Sequence, residues 1–100
     1  MSVSNTVFIP ETAILGQNVV IEDDVEIGPG VEVGHNVVIR SGVRIGGNCK
    51  ILDGAVLGKL PAKASLSATT GEPRVLPPLV LGRAVTIGAN CVIYRGAVLG

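Results

Sequence analysis

Val25-Glu26-Ile27-Gly28-Pro29-Gly30-Val31-Glu32-Val33-Gly34-His35-Asn36-Val37-Val38-Ile39 states one small pattern three times over. Apolar residues stand in pairs two apart, Val25 with Ile27, Val31 with Val33 and Val37 with Ile39, and each pair returns six residues after the last. Followed in both directions at that spacing, the larger aliphatic runs through Ile9, Leu15, Ile21, Ile27, Val33, Ile39, Ile45, Ile51 and Leu57. Two positions before each stands a small or β-branched residue: Val7, Ala13, Val19, Val25, Val31, Val37, Val43, Cys49 and Ala55. A second array takes up the same spacing with Leu81, Ile87, Ile93 and Leu99.

Alternation within each triplet, inward then outward then inward, is the period of a β-strand. A repeat of six leaves room for one very short strand and one tight turn. The turn residues agree. Three positions after the large aliphatic come Asn18, Asp24, Gly30, Asn36, Gly42, Asn48, Gly54, Asn90 and Gly96, residue types that tolerate a left-handed backbone. Thr12 and Ala84 break that rule. Three strands per turn give a triangular coil of about eighteen residues with the aliphatics stacked inside. Ile9, Ile27 and Ile45 then share one face, Leu15, Val33 and Ile51 the next, and Ile21, Ile39 and Leu57 the third. Amphipathic helices need a period near three and a half and fewer glycines. An antiparallel sandwich needs longer strands, and collagen needs glycine at every third position.

The chain is 100 residues long, which allows one domain or part of one. It is 47% hydrophobic, yet Phe8 and Tyr94 are its only aromatics, so small aliphatics must fill a narrow, repeated interior. The coils span residues 7–58 and a further coil spans 79–100, with an inserted loop over 59–78 in which Lys63 and Thr69 occupy the buried phase. Long loops in compact domains usually carry function. Asn48–Gly58 closely repeats as Asn90–Gly100. If these two segments share a face, Leu81 returns to the face of Leu57; if Leu81 takes the next face, Ile93 joins the face of Ile39. The sequence allows both. Gly100 stops the chain mid-pattern without a polar capping coil, which repeats of this kind need. A fragment, a truncated gene or a chain completed by a partner is expected.

Formal net charge is zero, which argues against a nucleic-acid or anionic-membrane surface. Met1-Ser2-Val3-Ser4-Asn5-Thr6 lacks the pattern of a secretory leader, no apolar run is long enough to span a bilayer, and a cytoplasmic location is expected. Cys49 and Cys91 hold the inward small position and read as core filler.

The units Ile27–Glu32, Val33–Val38 and Ile87–Val92 resemble the signature of the hexapeptide-repeat acyltransferases. The resemblance covers residues 7–58 and 79–100 and implies an all-β, left-handed parallel β-helix of hexapeptide repeats with one extruded loop. It further implies a homotrimer with sites between subunits, and transfer of an acyl group, acetyl above all, from coenzyme A. The implied acceptor is a hydroxyl or amine of a sugar or nucleotide-sugar. Acetyl-CoA or another acyl-CoA is the expected co-substrate, and no metal is expected. In such enzymes a histidine commonly removes the acceptor proton. His35, the single histidine, sits on an outward corner and is the candidate base, although Asn36 stands where some relatives have an acid.

Arg40, Arg44, Lys59, Lys63 and Arg74 are candidates for coenzyme A phosphates, set against ordinary outward charge. Glu22, Asp23, Asp24 and Glu26 read as a solvated face, with metal binding a remote second reading. Tyr94 is a candidate interface residue. A zinc β-helix of the carbonic-anhydrase kind needs three histidines, from two chains, and is not supported by one. The competing function is a non-catalytic coil that serves only trimerisation.

Overall fold

The computed structural model describes residues 1–60 and 76–100. Thirteen short strands and no helix are found among these residues, arranged as three parallel sheets that form the walls of a triangular coil. Wall 1 stacks Ser2–Val3, Val20–Ile21, Val38–Ile39, Val56–Lys59 and Val92–Tyr94. Wall 2 stacks Glu26–Ile27, Arg44–Ile45, Val80–Leu81 and Val98–Leu99, and wall 3 stacks Ile14–Leu15, Glu32–Val33, Lys50–Ile51 and Thr86–Ile87.

A parallel strand needs a partner for every N–H and C=O, and the next coil supplies it. On wall 1 the Val20 N–H donates to the Val37 carbonyl at 2.9 Å, and the Val38 N–H to the Ala55 carbonyl at 3.0 Å. Ile27 pairs with Ile45, and Val33 with Ile51, eighteen residues on. Side chains eighteen apart therefore lie side by side, one strand spacing of about 4.8 Å from each other.

The core follows the two inward positions. Ile21, Ile39, Ile45, Ile51 and Leu57 are buried with Val19, Val31, Val37, Val43 and Cys49, and no polar or charged side chain is buried among the described residues. Glu32, Arg44 and Lys50 are exposed between them, as the alternation requires. Burial of each aliphatic side chain contributes roughly 1.5–3 kcal/mol, which lets strands of only two residues hold.

Every Asn, Asp and Gly expected to turn left-handed does so, with φ of 57–60° for Asn18, Asp24, Asn36, Asn48 and Asn90 and 72–90° for Gly30, Gly42, Gly54 and Gly96. Ala84 adopts φ 57° at the equivalent corner despite its Cβ. Thr12 is not among the left-handed residues; its hydroxyl instead accepts a hydrogen bond from the Gly30 N–H at 2.9 Å.

The register across the inserted stretch is settled by direct pairing. Leu81 pairs with Ile45, Ile87 with Ile51 and Ile93 with Leu57, each thirty-six residues apart. Leu81 thus takes the next wall after Leu57, and Ile93 joins the wall of Ile39. The near-identical segments around Ile51 and Ile93 lie on different walls. The phase of six survives the interruption, because the added length equals one coil. Lys63 and Thr69 lie outside the described residues.

Candidate functional site

His35 occupies the corner that carries the chain from wall 3 to wall 1, between Val33 and Val38. The corner directly below it in the stack is Gln17-Asn18 and the one above is Asp53-Gly54. The His35 imidazole is exposed, and its Nδ1 accepts a hydrogen bond from the Gln17 backbone N–H at 2.7 Å. The ring can lie there because residue 16 is glycine. A Cβ on Gly16 would come within 2.6 Å of the Gly34 carbonyl oxygen and 2.7 Å of His35 Nδ1. The corner's backbone is bonded both ways: the Asn36 N–H donates to the Gln17 carbonyl at 2.9 Å, and the Gly54 N–H to the His35 carbonyl at 2.9 Å.

Asp53 approaches from the coil above, but its Oδ1 accepts from the His35 backbone N–H at 2.8 Å. The structure places this acid against the main chain of His35. A catalytic histidine is usually steered by an acid at its ring N–H; here a backbone donor fills that place. Since a backbone N–H can only donate, Nδ1 must keep a lone pair, and the neutral ring carries its proton on Nε2. Sequence reasoning missed Gln17 and Asp53. Both are eighteen residues from His35, so the signal was the coil length itself.

The arginines expected near an anionic co-substrate are engaged with neighbouring coils. Arg44 Nε lies 2.9 Å from Glu26 Oε2, and Arg40 Nη1 lies 3.6 Å from Glu22 Oε2. Lys50 Nζ stands 4.0 Å from Glu32 Oε2 in the same way. Glu22 Oε1 also accepts from the Ser41 N–H at 3.1 Å, and Asp23 accepts from the Ser4 hydroxyl. The acidic stretch is thereby divided among separate partners, and no group of three or more metal-ligating side chains is found among the described residues. Lys59 is exposed at the end of its strand. Lys63 and Arg74 lie outside the described residues.

Arg95 had no part in the sequence reading and holds both sides of the inserted stretch. Its backbone N–H donates to the Lys59 carbonyl at 3.0 Å, before the insertion, and Nη2 donates to the Leu76 carbonyl at 3.2 Å, after it. Nη1 reaches the Ser41 carbonyl at 2.9 Å. Together with Glu22, Arg40, Gly58 and Leu60 it lines an open groove of about 290 Å³. Cys49 is buried, with its thiol 2.9 Å from the Gly82 carbonyl as donor, and Cys91 is half-buried against the core, so both fill space as expected. No helix among the described residues is long and apolar enough to cross a membrane.

The repeats match the family model described as bacterial transferase hexapeptide (six repeats) over residues 2–41 and 24–59, and the chain belongs to this family. Membership brings with it the left-handed sense of the coil. Among solved structures the chain is similar to LpxA, a UDP-N-acetylglucosamine acyltransferase from Bacteroides fragilis 9343, at 29% identity and a TM-score of 0.47. That match covers 93% of this chain and 36% of the LpxA chain, so the present chain spans little more than a third of its length. No curated protein matches the chain in sequence.

Proposed function

We propose that this chain is the coil of an acyltransferase that moves an acyl group from coenzyme A to a hydroxyl or amine of a sugar or nucleotide-sugar. Family membership supports the transferase class. The observation that carries the reading to a site is the His35 corner, where an exposed imidazole is held in one orientation by the Gln17 N–H. A fixed donor or base beside an open surface is what acyl transfer needs.

The proposed assembly is a homotrimer around a threefold axis. Wall 1 is the face that suits it. Beyond its first strand, its outward residues are Val20, Val38, Val56 and Val92, with Tyr94 46% exposed beside the last. His35 sits at the margin of this wall, so a subunit packed there would close one side of its corner. The reading implies a cytoplasmic setting, where acyl-coenzyme A is made.

The test is thiol release from acetyl-CoA and longer acyl-CoAs with a panel of amino-sugars, hydroxy-sugars and nucleotide-sugars. Turnover is expected with at least one pair, and His35→Ala should slow it by about a hundredfold. A chain that neither releases thiol nor binds coenzyme A would instead be a trimerising scaffold. The favouring observation for that second reading is that His35 Nδ1 already serves the corner as a link between coils.

A further inference from the structure

We propose that the Arg95 side chain stands in for a corner turn that the inserted stretch removes from one coil, and straps the returning chain to the coils below. Through most of the stack, the residue at the left-handed corner position donates its backbone N–H to a carbonyl of the coil below. Asn36 bonds in this way to Gln17, Gly42 to Asp23, Asn48 to Pro29 and Gly54 to His35, each nineteen residues back and at 2.9–3.0 Å. Across the insertion the same rung spans thirty-seven residues, from Ala84 to Gly47 and from Asn90 to Asp53, at 2.9 Å. In the first coil a side chain already takes the backbone's part. The Asp24 and Gly30 N–H groups donate to the hydroxyls of Thr6 and Thr12, both at 2.9 Å.

The corner from wall 1 to wall 2 breaks this ladder. Nineteen residues after Ser41 stands Leu60, where the chain is already leaving the coil. Gly58, at φ 81°, is the extra residue of a bulge, so that Lys59 is the residue paired with Tyr94. Among the described residues no backbone N–H reaches the Ser41 carbonyl. Arg95 Nη1 reaches it instead, at 2.9 Å, and Nη2 of the same guanidinium donates to the Leu76 carbonyl at 3.2 Å. A displaced rung brings the side chain there: the Arg95 N–H takes the Lys59 carbonyl at 3.0 Å, where the spacing calls for the N–H of Gly96. A main-chain carbonyl left without a partner costs stability, and a guanidinium makes charge-assisted bonds to two carbonyls at once through its planar fork. Beneath the strap, the groove of about 290 Å³ along Arg40, Ser41 and Leu60 stays open where a corner turn would have packed.

This role of Arg95 is independent of any transfer chemistry, and amide hydrogen exchange reads it directly. The Arg44 and Gly46 N–H groups donate to the Leu79 and Leu81 carbonyls, just past the returning chain, at 2.9 and 2.8 Å. The Val20 and Glu32 N–H groups donate to Val37 and Cys49, below the insertion. Arg95→Ala should speed exchange at Arg44 and Gly46 by about tenfold, as for loss of bonds to a charged donor, and leave Val20 and Glu32 unchanged. Unchanged exchange at Arg44 and Gly46, or an equal rise at all four amides, overturns the strap. Arg95→Lys keeps the positive charge in the groove with Glu22 but loses the fork. It should follow Arg95→Ala; wild-type exchange in Arg95→Lys would assign the effect to charge and overturn the rung. A second background closes the test. Replacing residues 60–78 by a single glycine restores the six-residue step from Leu57 to Leu81 and offers Ser41 a backbone N–H. There Arg95→Ala should leave the melting temperature unchanged, whereas in the full chain it lowers it by a few degrees. An equal drop in both backgrounds overturns the proposal.

Discussion

Wall 1 and wall 3 line the same interior with the same kind of residue, Ile21, Ile39 and Leu57 on one and Val33, Ile51 and Ile87 on the other. Their outer surfaces differ. Wall 1 shows Val20, Val38, Val56 and Val92 to the outside, whereas wall 3 shows Ile14, Glu32, Lys50 and Thr86, with Glu32 and Lys50 4.0 Å apart across coils. The coil demands apolar side chains inward on every wall, but it demands nothing outward beyond strand propensity. An exposed ion pair of this kind contributes about 0–1 kcal/mol, so the charges on wall 3 are tolerated more than required. On wall 2 the outward residues change from Glu26 and Arg44 to Val80 and Val98, so wall 1 is the wall whose outward valines run from Val20 to Val92, as the proposed assembly would use them.

Adjacent residues on wall 1 offer the sharpest way to break this comparison. Ile39 is fully buried and its neighbour Val38 points out. Ile39→Asp would seal an unpaired carboxylate into the interior, at a cost of about 5 kcal/mol or more, comparable with the whole stability of a small domain at roughly 5–15 kcal/mol. A cooperative melt should vanish from calorimetry or circular dichroism. A soluble Ile39→Asp chain with a wild-type melting temperature would contradict the coil.

Val38→Asp should leave the coil folded and remove the proposed assembly. Sedimentation is expected to move from a threefold mass to a single chain, with the strand signature in circular dichroism kept. Thr86→Asp on wall 3 is the control and should sediment as wild type. Loss of assembly in both, or in neither, would show that wall 1 is not the interface.

The smallest effect belongs to the corner between walls 2 and 3 at Ala84. A left-handed alanine costs roughly 1–2 kcal/mol relative to its favoured backbone. Ala84→Gly should therefore stabilise by about 0.5–1 kcal/mol, after allowing for the greater freedom of glycine in the unfolded chain. The melting temperature should rise by a few degrees; a fall would show that the alanine methyl makes a contact worth more than its strain.

The interior was legible because period and burial are one fact: Ile27, Val33 and Ile39 follow one another every six residues and all face in. The wall taken by Leu81 was not legible, since all three walls use the same inward alphabet, and the Ile51 and Ile93 segments share inward residues (Cys, Ile, Ala, Leu) as well as corner ones while lying on different walls. Ala84 shows the complement. Its left-handed turn is imposed by stacking, with its N–H donating to the Gly47 carbonyl at 2.9 Å, and its own residue type argues against it. At the site, the position of His35 could be read but not its bonding, because a backbone N–H leaves no mark on the identity of Gln17.

The pairing of Ile45 with Leu81 joins the coil directly across the inserted stretch, and lengthening a flexible loop twofold costs only about 0.6 kcal/mol. The Arg95 guanidinium grips the returning main chain through the Leu76 carbonyl, a group that every amino acid possesses. An insertion between Lys59 and Leu76 that keeps these contacts is expected to leave Leu81 paired with Ile45 in the same register.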